Sequence, residues 1–203
     1  MSTRSLWIVR HAQPLVAAGV CYGRTDMAAD PQATLSAARR LVAALSLQSV
    51  RTIQIVSSPL QRCTQLANAV QQLTPAWTVT VDARLAEMDF GAWEGQLWAE
   101  IDPAELQAWT ADFADYRAGG QGESVRVFMN RVNAALTAWR DAVRGRGNQA
   151  LLWVTHAGVE RAVRLLQAGV DCPLQANQWP RQGLGLGEWS SAAVEIPQDF
   201  TVT

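Results

Sequence analysis

The sequence predicts an α/β fold, a three-layer sandwich whose mostly parallel central sheet is flanked by helices. Two apolar runs, residues 6–9 and 151–154, have the length and composition of buried strands. Amphipathic segments with helical spacing lie between the predicted strands, and this alternation is typical of a parallel sheet. The chain of 203 residues shows no repeat or linker, so we expect one domain over residues 1–203.

Each predicted helix has a start signal or an apolar stripe. Asp30, Ser58 and Asp102 each precede a proline, as an N-cap precedes the first helical residue, and they predict three helix starts. Apolar residues at helical spacing predict a long helix over residues 125–143 and a shorter one over residues 158–168. The predicted strands cover residues 5–9, 53–57, 78–81 and 151–155, with an edge strand in the region 184–196.

The composition excludes several classes of function. The formal charge of -1 gives no reason to expect a nucleic-acid or membrane partner, and all 17 basic residues are arginines. Without lysine, the chain can form neither a P-loop nor a Schiff base. Cys21, Cys63 and Cys172 are widely spaced and form no CxxC pair, which indicates reduced thiols. Because the N-terminus has no signal-peptide pattern, we expect a cytoplasmic protein.

The chain contains two histidines, and each follows a predicted strand. His11 follows the first strand directly after Arg10, and His156 follows the strand at 151–155. The carboxyl ends of parallel strands are where an α/β sheet binds its ligands, so we expect the two imidazoles to meet there. Two histidines with arginines beside them suit a dianionic phosphate. The alternative is that either histidine is an ordinary capping or core residue.

These residue types suit phosphoryl transfer to a small molecule or to water. A neutral imidazole at His11 is a nucleophile near pH 7, and Arg10 can bind two phosphate oxygens at once. Arg62 lies in the first turn of the helix predicted after Ser58, where unpaired N–H groups and the helix dipole attract anions. His156 is placed to stabilise the oxygens of the transferring group.

Glu87 is the predicted proton donor for the leaving oxygen. It lies in the segment 84–95, which is rich in aromatic residues and glycine, where burial favours a protonated carboxyl group. Asp89 and Glu94 in the same segment are rivals that the spacing does not exclude.

Other phosphatase chemistries lack the residues they need. No cysteine has an arginine six positions later, and no Asp-x-Asp motif for an aspartyl-phosphate enzyme is present. Two histidines without a cluster of carboxylates do not suit a dinuclear metal centre. We therefore expect neither a metal nor a cofactor.

Four motifs taken together resemble the histidine phosphatase superfamily, and they lie at residues 6–12 (LWIVRHA), 57–62 (SSPLQR), 85–91 (LAEMDFG) and 154–158 (VTHAG). Their order and spacing match that family over about residues 5–168. The resemblance implies a phosphoglycerate mutase-like fold and a metal-free mechanism through a phosphohistidine. It implies that His11 is the nucleophile and Glu87 the proton donor. The implied phosphate pocket consists of Arg10, Arg62 and His156.

Three further motifs look like those of the alpha-ribazole phosphatases, and they lie at residues 20–26 (VCYGRTD), 93–98 (WEGQLW) and 119–124 (GGQGES). That resemblance implies removal of the 5′-phosphate from alpha-ribazole phosphate in cobalamin biosynthesis. It also implies that four residues lie near the substrate, namely Gly23, Arg24, Glu123 and Ser124. Trp93 or Trp98 is then a candidate for stacking on the benzimidazole base.

Two other hypotheses stay open. The first is a broad-specificity sugar or phosphoglycerate phosphatase, or a mutase, although the short chain without lysine suits a phosphatase better. The second is a catalytically idle, phosphatase-like binding module, which usually lacks the first histidine or the arginines that this chain retains. The sequence does not reveal the oligomeric state.

Overall fold

The computed structural model describes residues 2–47, 53–142 and 150–196. The strands are β1 (Ser2–Arg10), β2 (Ile53–Ser57), β3 (Thr78–Val81), β4 (Ala150–Thr155) and β5 (Trp189–Ile196). The helices are α1 (Pro31–Ser46), α2 (Gln61–Leu73), α3 (Pro103–Ala111), α4 (Val125–Ala142) and α5 (Ala157–Gln167). Short 3₁₀ turns cover Ala83–Leu85, Gly91–Trp93 and Ala176–Gln178.

The predicted α/β class is confirmed by the sheet. Its five strands lie in the order β3-β2-β4-β1-β5, and β5 alone among them runs antiparallel, at the edge beside β1. In the central pair, Val9 lies opposite Val154 and Arg10 lies opposite Thr155. Because the two strands end at the same level, the residue after each strand, His11 or His156, enters the same region.

The sheet separates two apolar cores, which makes the fold three-layered. Side chains alternate across a strand, and β4 is buried on both faces. Leu151 and Trp153 join the core formed with α4 and α5, whereas Leu152 and Val154 join the core formed with α1 and α2. The sequence of a strand that is buried on both faces is a continuous apolar run. This explains why β4 could be identified from the sequence.

Two of the three predicted helix starts are confirmed by their caps. The Asp30 carboxylate accepts a hydrogen bond from the N–H of Ala33 at 2.7 Å, and Asp102 accepts one from Ala104 at 2.8 Å. Each is followed by proline in the first turn.

The predicted start of α2 is wrong by two residues. The helix begins at Gln61 rather than after Ser58, because the carboxylate of Asp26 accepts the Gln61 N–H at 2.6 Å. The N–H of Arg62 donates to the carbonyl of Met27 at 3.1 Å. These N–H groups are therefore engaged by the chain itself, and the expectation that they attract an anion is also wrong.

The end of the long predicted helix, residue 143 and the glycines after it, lies outside the described residues. Within the parts of the chain that the structure describes, no helix combines the length and apolar character needed to cross a bilayer.

Candidate active site

The two histidines lie side by side at the carboxyl end of the sheet. Their ring centroids are 5.2 Å apart with an interplanar angle of 61°, and both side chains are buried. The N–H of His11 donates to the carbonyl of Thr155 at 3.0 Å, which ties the end of β1 to the end of β4. The pairing expected from two strand ends is therefore present.

The imidazole of His11 is oriented with a free nitrogen. Its Nδ1 lies 2.7 Å from the carbonyl oxygen of Ala12, and a carbonyl only accepts, so Nδ1 carries the proton and Nε2 keeps its lone pair. Burial lowers the pKa of His11 from 6.5 to about 3, opposed by the Ala12 hydrogen bond and reinforced by Arg62 and Arg10. The ring is therefore neutral near pH 7, as a nucleophile must be.

His156 is held by a serine and a cysteine. Its Nε2 lies 2.8 Å from the hydroxyl oxygen of Ser58 and 3.4 Å from the sulfur of Cys63. Burial lowers the pKa of His156 well below its ordinary value, and the charge of Arg62 lowers it further. Burial also raises the pKa of the Cys63 thiol to about 12, so this cysteine is a neutral packing partner.

The two predicted phosphate-binding arginines are fixed by backbone carbonyls. Nη1 of Arg10 donates to Leu184 at 2.9 Å. Arg62 is 0% exposed, and its Nη1 and Nη2 donate to Thr25 at 2.7 Å and Gly23 at 2.6 Å. The Nε of each guanidinium is buried without a partner among the described residues. Carbonyls orient these cations without neutralising them, so their charge stays available to an anion.

The structure distinguishes the three rival carboxylates. Glu94 accepts from the backbone N–H groups of Arg24, Thr25 and Phe90, and Asp89 accepts from Gly91 and pairs with Arg24. Both therefore stabilise the loops that carry them.

Glu87 also accepts an N–H of its own loop, that of Met88 at 3.0 Å, but it alone of the three lines the cavity beside His11. Its Oε2 accepts the N–H of Gly158 at 3.0 Å, in the first turn of α5. A Cβ added at Gly158 would lie 2.1 Å from Oε1 of Glu87, so glycine is needed for the carboxylate to approach.

Two adjoining cavities meet at Glu87. The small cavity, about 110 Å³, is lined by His11, Arg10, Tyr22, Gly23 and Trp98 among others. The large cavity, about 410 Å³, is lined mainly by α3, α4, α5 and residues 176–181. Arg10, Glu87 and Phe90 line both. A phosphate beside His11 in the small cavity would thus have its ester oxygen near Glu87 and its alcohol group in the large cavity.

Of the four predicted peripheral residues, Gly23 lines the small cavity, and the other three line neither cavity. The Arg24 side chain is 67% exposed and pairs with Asp89 at 3.3 Å. Glu123 forms an ion pair with Arg131 at 2.7 Å, and Ser124 accepts the N–H of Val127 at the start of α4. Their contact with substrate stays a prediction.

The tryptophans divide between core and site. Of the two tryptophans predicted as candidates for stacking, Trp93 is 1% exposed and lies in the apolar core, whereas Trp98 lines the small cavity, and stacking on a substrate ring stays a prediction. Trp109 and Trp179 line the large cavity and were not singled out from the sequence. With nine tryptophans in the chain, the sequence gives no signal that separates these two from core residues.

Sequence reasoning also missed Arg131. This residue of α4 donates to the carbonyls of Ala86 and Glu87, at 2.7 and 2.9 Å, and its guanidinium lies over the ring of Phe128. Arg131 therefore fixes the position of the backbone at Ala86 and Glu87.

The chain belongs to the histidine phosphatase superfamily, branch 1, whose family model matches residues 6–188. A relative from Hydrogenobacter thermophilus, which carries the provisional name phosphoserine phosphatase 2, is 30% identical over 171 residues, covering 82% of this chain and 80% of the relative. Family and relative together identify the chain as a phosphatase of this superfamily.

Solved structures of the same fold include enzymes with other named substrates. A mycobacterial glucosyl-3-phosphoglycerate phosphatase superposes with a TM-score of 0.77 at 25% identity, covering 95% of this chain and 91% of that one. A protein of Escherichia coli K-12, provisionally called an alpha-ribazole-5′-P phosphatase, has a TM-score of 0.74 at 23% identity, covering 95% and 91%. At 23% identity, the similarity to the Escherichia coli protein shows a shared fold and nothing more.

Proposed function

We propose that this phosphatase hydrolyses small-molecule phosphomonoesters through a phosphohistidine on His11, without a metal or cofactor. The observation that carries the proposal is the free Nε2 of a neutral, buried His11, which lines a small cavity together with Arg10 and Glu87. The site thus combines a nucleophile, cations for the phosphate and a carboxyl group for the leaving oxygen.

In the first step, Nε2 of His11 attacks phosphorus and the bond from phosphorus to the ester oxygen breaks. Glu87 donates a proton to that oxygen, and the alcohol leaves. Arg10, Arg62 and His156 stabilise the charge on the equatorial oxygens of the transferring group.

In the second step, water attacks the phosphohistidine and Glu87 accepts its proton. The bond from phosphorus to Nε2 breaks, His11 returns to its neutral form, and inorganic phosphate is released. Use of one carboxyl group as acid and then as base restores the starting state in each cycle.

We propose alpha-ribazole 5′-phosphate as the substrate favoured by the motifs at 20–26, 93–98 and 119–124, which would place the enzyme in cobalamin biosynthesis. The aromatic walls of the large cavity support a flat ring on the alcohol, since ring faces and edges pack well against each other. Trp109 and Trp179 replace Trp93 as candidates for that contact.

A second candidate is a sugar or phosphoglycerate ester, in a phosphatase of broader specificity. The specific observation that favours it is the presence of Arg161 and Arg181 in the wall of the large cavity. Neither guanidinium is needed by a neutral alcohol such as alpha-ribazole.

The test is phosphate release from a panel containing alpha-ribazole 5′-phosphate, 3-phosphoglycerate, glucosyl-3-phosphoglycerate and AMP. We expect His11→Ala to lower turnover on the order of 10³-fold or more, because the covalent route is lost. Near-normal turnover in the variant would contradict the phosphohistidine. A much higher kcat/KM for one ester would identify the substrate, and no release from any ester would favour the idle binding module.

Metal independence is tested separately. We expect activity to be unchanged after dialysis against EDTA, because every proposed role belongs to a side chain. Loss of activity that is restored by a divalent cation would contradict this part of the proposal.

A further inference from the structure

The large cavity contains more positive charge than one phosphate group needs. Its lining includes three arginines, Arg10, Arg161 and Arg181, and one carboxylate, Glu87. Arg10 lines the small cavity with His11, and the proposed function assigns it to the phosphate together with Arg62. The other two arginines lie on the part of the wall that does not reach the small cavity. Their charge is therefore directed at the alcohol part of a substrate.

Arg161 is built into this wall. It lies on α5, five residues after His156, and its Nη2 donates to the carbonyl of Arg181 at 3.1 Å. A Cβ at Gly183 would lie 2.8 Å from its Nε, so the glycine lets the guanidinium pack against the backbone. That Nε is buried and has no partner among the described residues. The side chain is thus fixed in place by the backbone of residues 181–183, and it forms part of the cavity wall.

The carboxylate next to Arg161 in the sequence lies outside the cavity wall. Glu160, the adjacent residue, interacts electrostatically with both Arg164 and Arg161, and its carboxylate lies 3.7 Å from Arg164, but it lines neither cavity. Arg164 donates to the carbonyl of Gln182 and also lies outside the cavity lining. Arg161 and Arg164 therefore anchor the same segment, but only Arg161 faces the cavity.

The rest of the wall is apolar and aromatic. It includes Trp109, Phe113, Phe128 and Trp179. In such a setting a cation is most strongly stabilised by an anionic group, because water is partly excluded. A cavity of about 410 Å³ has room for a sugar or ring between the phosphate and that group.

We infer that Arg161 binds a second acidic group, such as a carboxylate, on the alcohol part of the substrate. The inference rests on the proposed phosphatase function and specifies its substrate class: phosphomonoesters of alcohols that carry an acid. Of the two candidate substrates above, the motifs favour alpha-ribazole 5′-phosphate and this inference selects the acid-bearing ester, so a clear preference for alpha-ribazole 5′-phosphate in the substrate panel would overturn the inference alone.

The test compares two aryl esters of the same shape, 4-carboxyphenyl phosphate and its neutral amide, 4-carbamoylphenyl phosphate. The measured quantity is the ratio of their kcat/KM values in the wild type and in Arg161→Gln. Any difference in leaving-group reactivity between the two esters is the same for the wild type and the variant. A change in the kcat/KM ratio between these two enzymes therefore measures recognition of the carboxylate. Arg164→Gln is the matched control, since it also loses an anchor to the 181–184 segment but lies outside the cavity.

We expect the wild type to prefer the carboxylate and Arg161→Gln to lower that preference roughly 10- to 100-fold, as loss of a hydrogen bond between charged groups does. Hydrolysis of the amide should change little, Arg164→Gln should keep the preference, and Arg161→Lys should restore part of it.

Equal hydrolysis of both esters by the wild type would overturn the inference while leaving the phosphatase function intact. Equal losses on both esters in Arg161→Gln would also overturn it, because Arg161 would then act only as a structural anchor. Hydrolysis of neither ester by the wild type, together with no release from the substrate panel, would overturn the proposed function and this inference with it.

Discussion

Burial of His11 among cations sets the chemistry of the residue. An exposed imidazole is partly protonated near pH 6.5 and then has no free lone pair. Desolvation lowers the pKa of His11 to about 3, with Arg62 and Arg10 acting in the same direction. The proposed nucleophile is thus neutral and oriented before a substrate arrives, and a dianionic phosphate partly offsets the two guanidinium charges when it binds.

Glu87 is expected to matter most when the leaving oxygen is a poor one. Replacement by glutamine removes the proton but keeps the size of the side chain, so Glu87→Gln should slow hydrolysis of alkyl phosphates by about 10²–10⁴-fold and of aryl phosphates much less. The measurement is kcat on a series of esters of graded alcohol pKa. Asp89→Asn, in the same loop, is the control that should show no such dependence. Equal losses across the series in Glu87→Gln would argue against Glu87 as the acid.

At the scale of elements, the loop that carries Glu87 depends on α4. Arg131 donates from Nη1 to the carbonyl of Arg84 at 2.8 Å and from Nη2 to that of Glu87 at 2.9 Å, and it pairs with Glu123. A helix thereby fixes a loop that has few backbone partners of its own. Because α4 holds the loop in place, the carboxyl group of Glu87 is positioned between the two cavities.

Arg131→Met should therefore loosen both the fold and the site. It leaves loop carbonyls without their donor and the Glu123 carboxylate without its counter-ion, with only the N–H of Asp89 still bound to that carboxylate. We therefore expect a loss of about 3–5 kcal/mol in unfolding free energy and a fall in kcat of roughly 10²-fold. Arg126→Met is a matched control on the same helix, since its ion pair with Asp115 is exposed and should matter little. Denaturant unfolding and steady-state kinetics check both variants. A similar response of the two variants would contradict the assigned role.

At the scale of the whole molecule, stability is coupled to the two histidines. Both are buried and neutral in the native state, whereas in the unfolded chain their pKa returns to about 6.5. Below pH 6.5 the unfolded state therefore binds protons that the native state does not, and unfolding becomes more favourable as the pH falls. For His11 this continues until the pH reaches about 3.

We expect each histidine to contribute a loss of about 1.4 kcal/mol per pH unit well below pH 6.5. His11→Asn should remove one of the two contributions, so its stability should fall less steeply between pH 6 and 5. Denaturant unfolding in phosphate-free buffer measures the two slopes, and the comparison cancels the carboxylates that both proteins share. Equal slopes would show that His11 titrates normally in the native state.

The sequence by itself determined the parts of this protein that rest on local signals. Buried strands read as apolar runs, Asp30 and Asp102 cap helices a few residues away, and His11 and His156 each follow a strand. The motifs around them indicated the superfamily. Since strand ends of a parallel sheet meet at one edge, even the approach of two residues so distant in the chain was predictable.

Only the tertiary structure decided the features that depend on contacts between distant segments. Asp26 caps a helix that begins 35 positions later, at Gln61, and this contact displaced the predicted start. The hydrogen bond from the N–H of Gly158 to Glu87 joins two distant segments, and the large cavity is enclosed by helices from separate parts of the chain. Periodicity and capping patterns record which face of an element is buried, but not which other element covers it. That information exists only once the chain has packed.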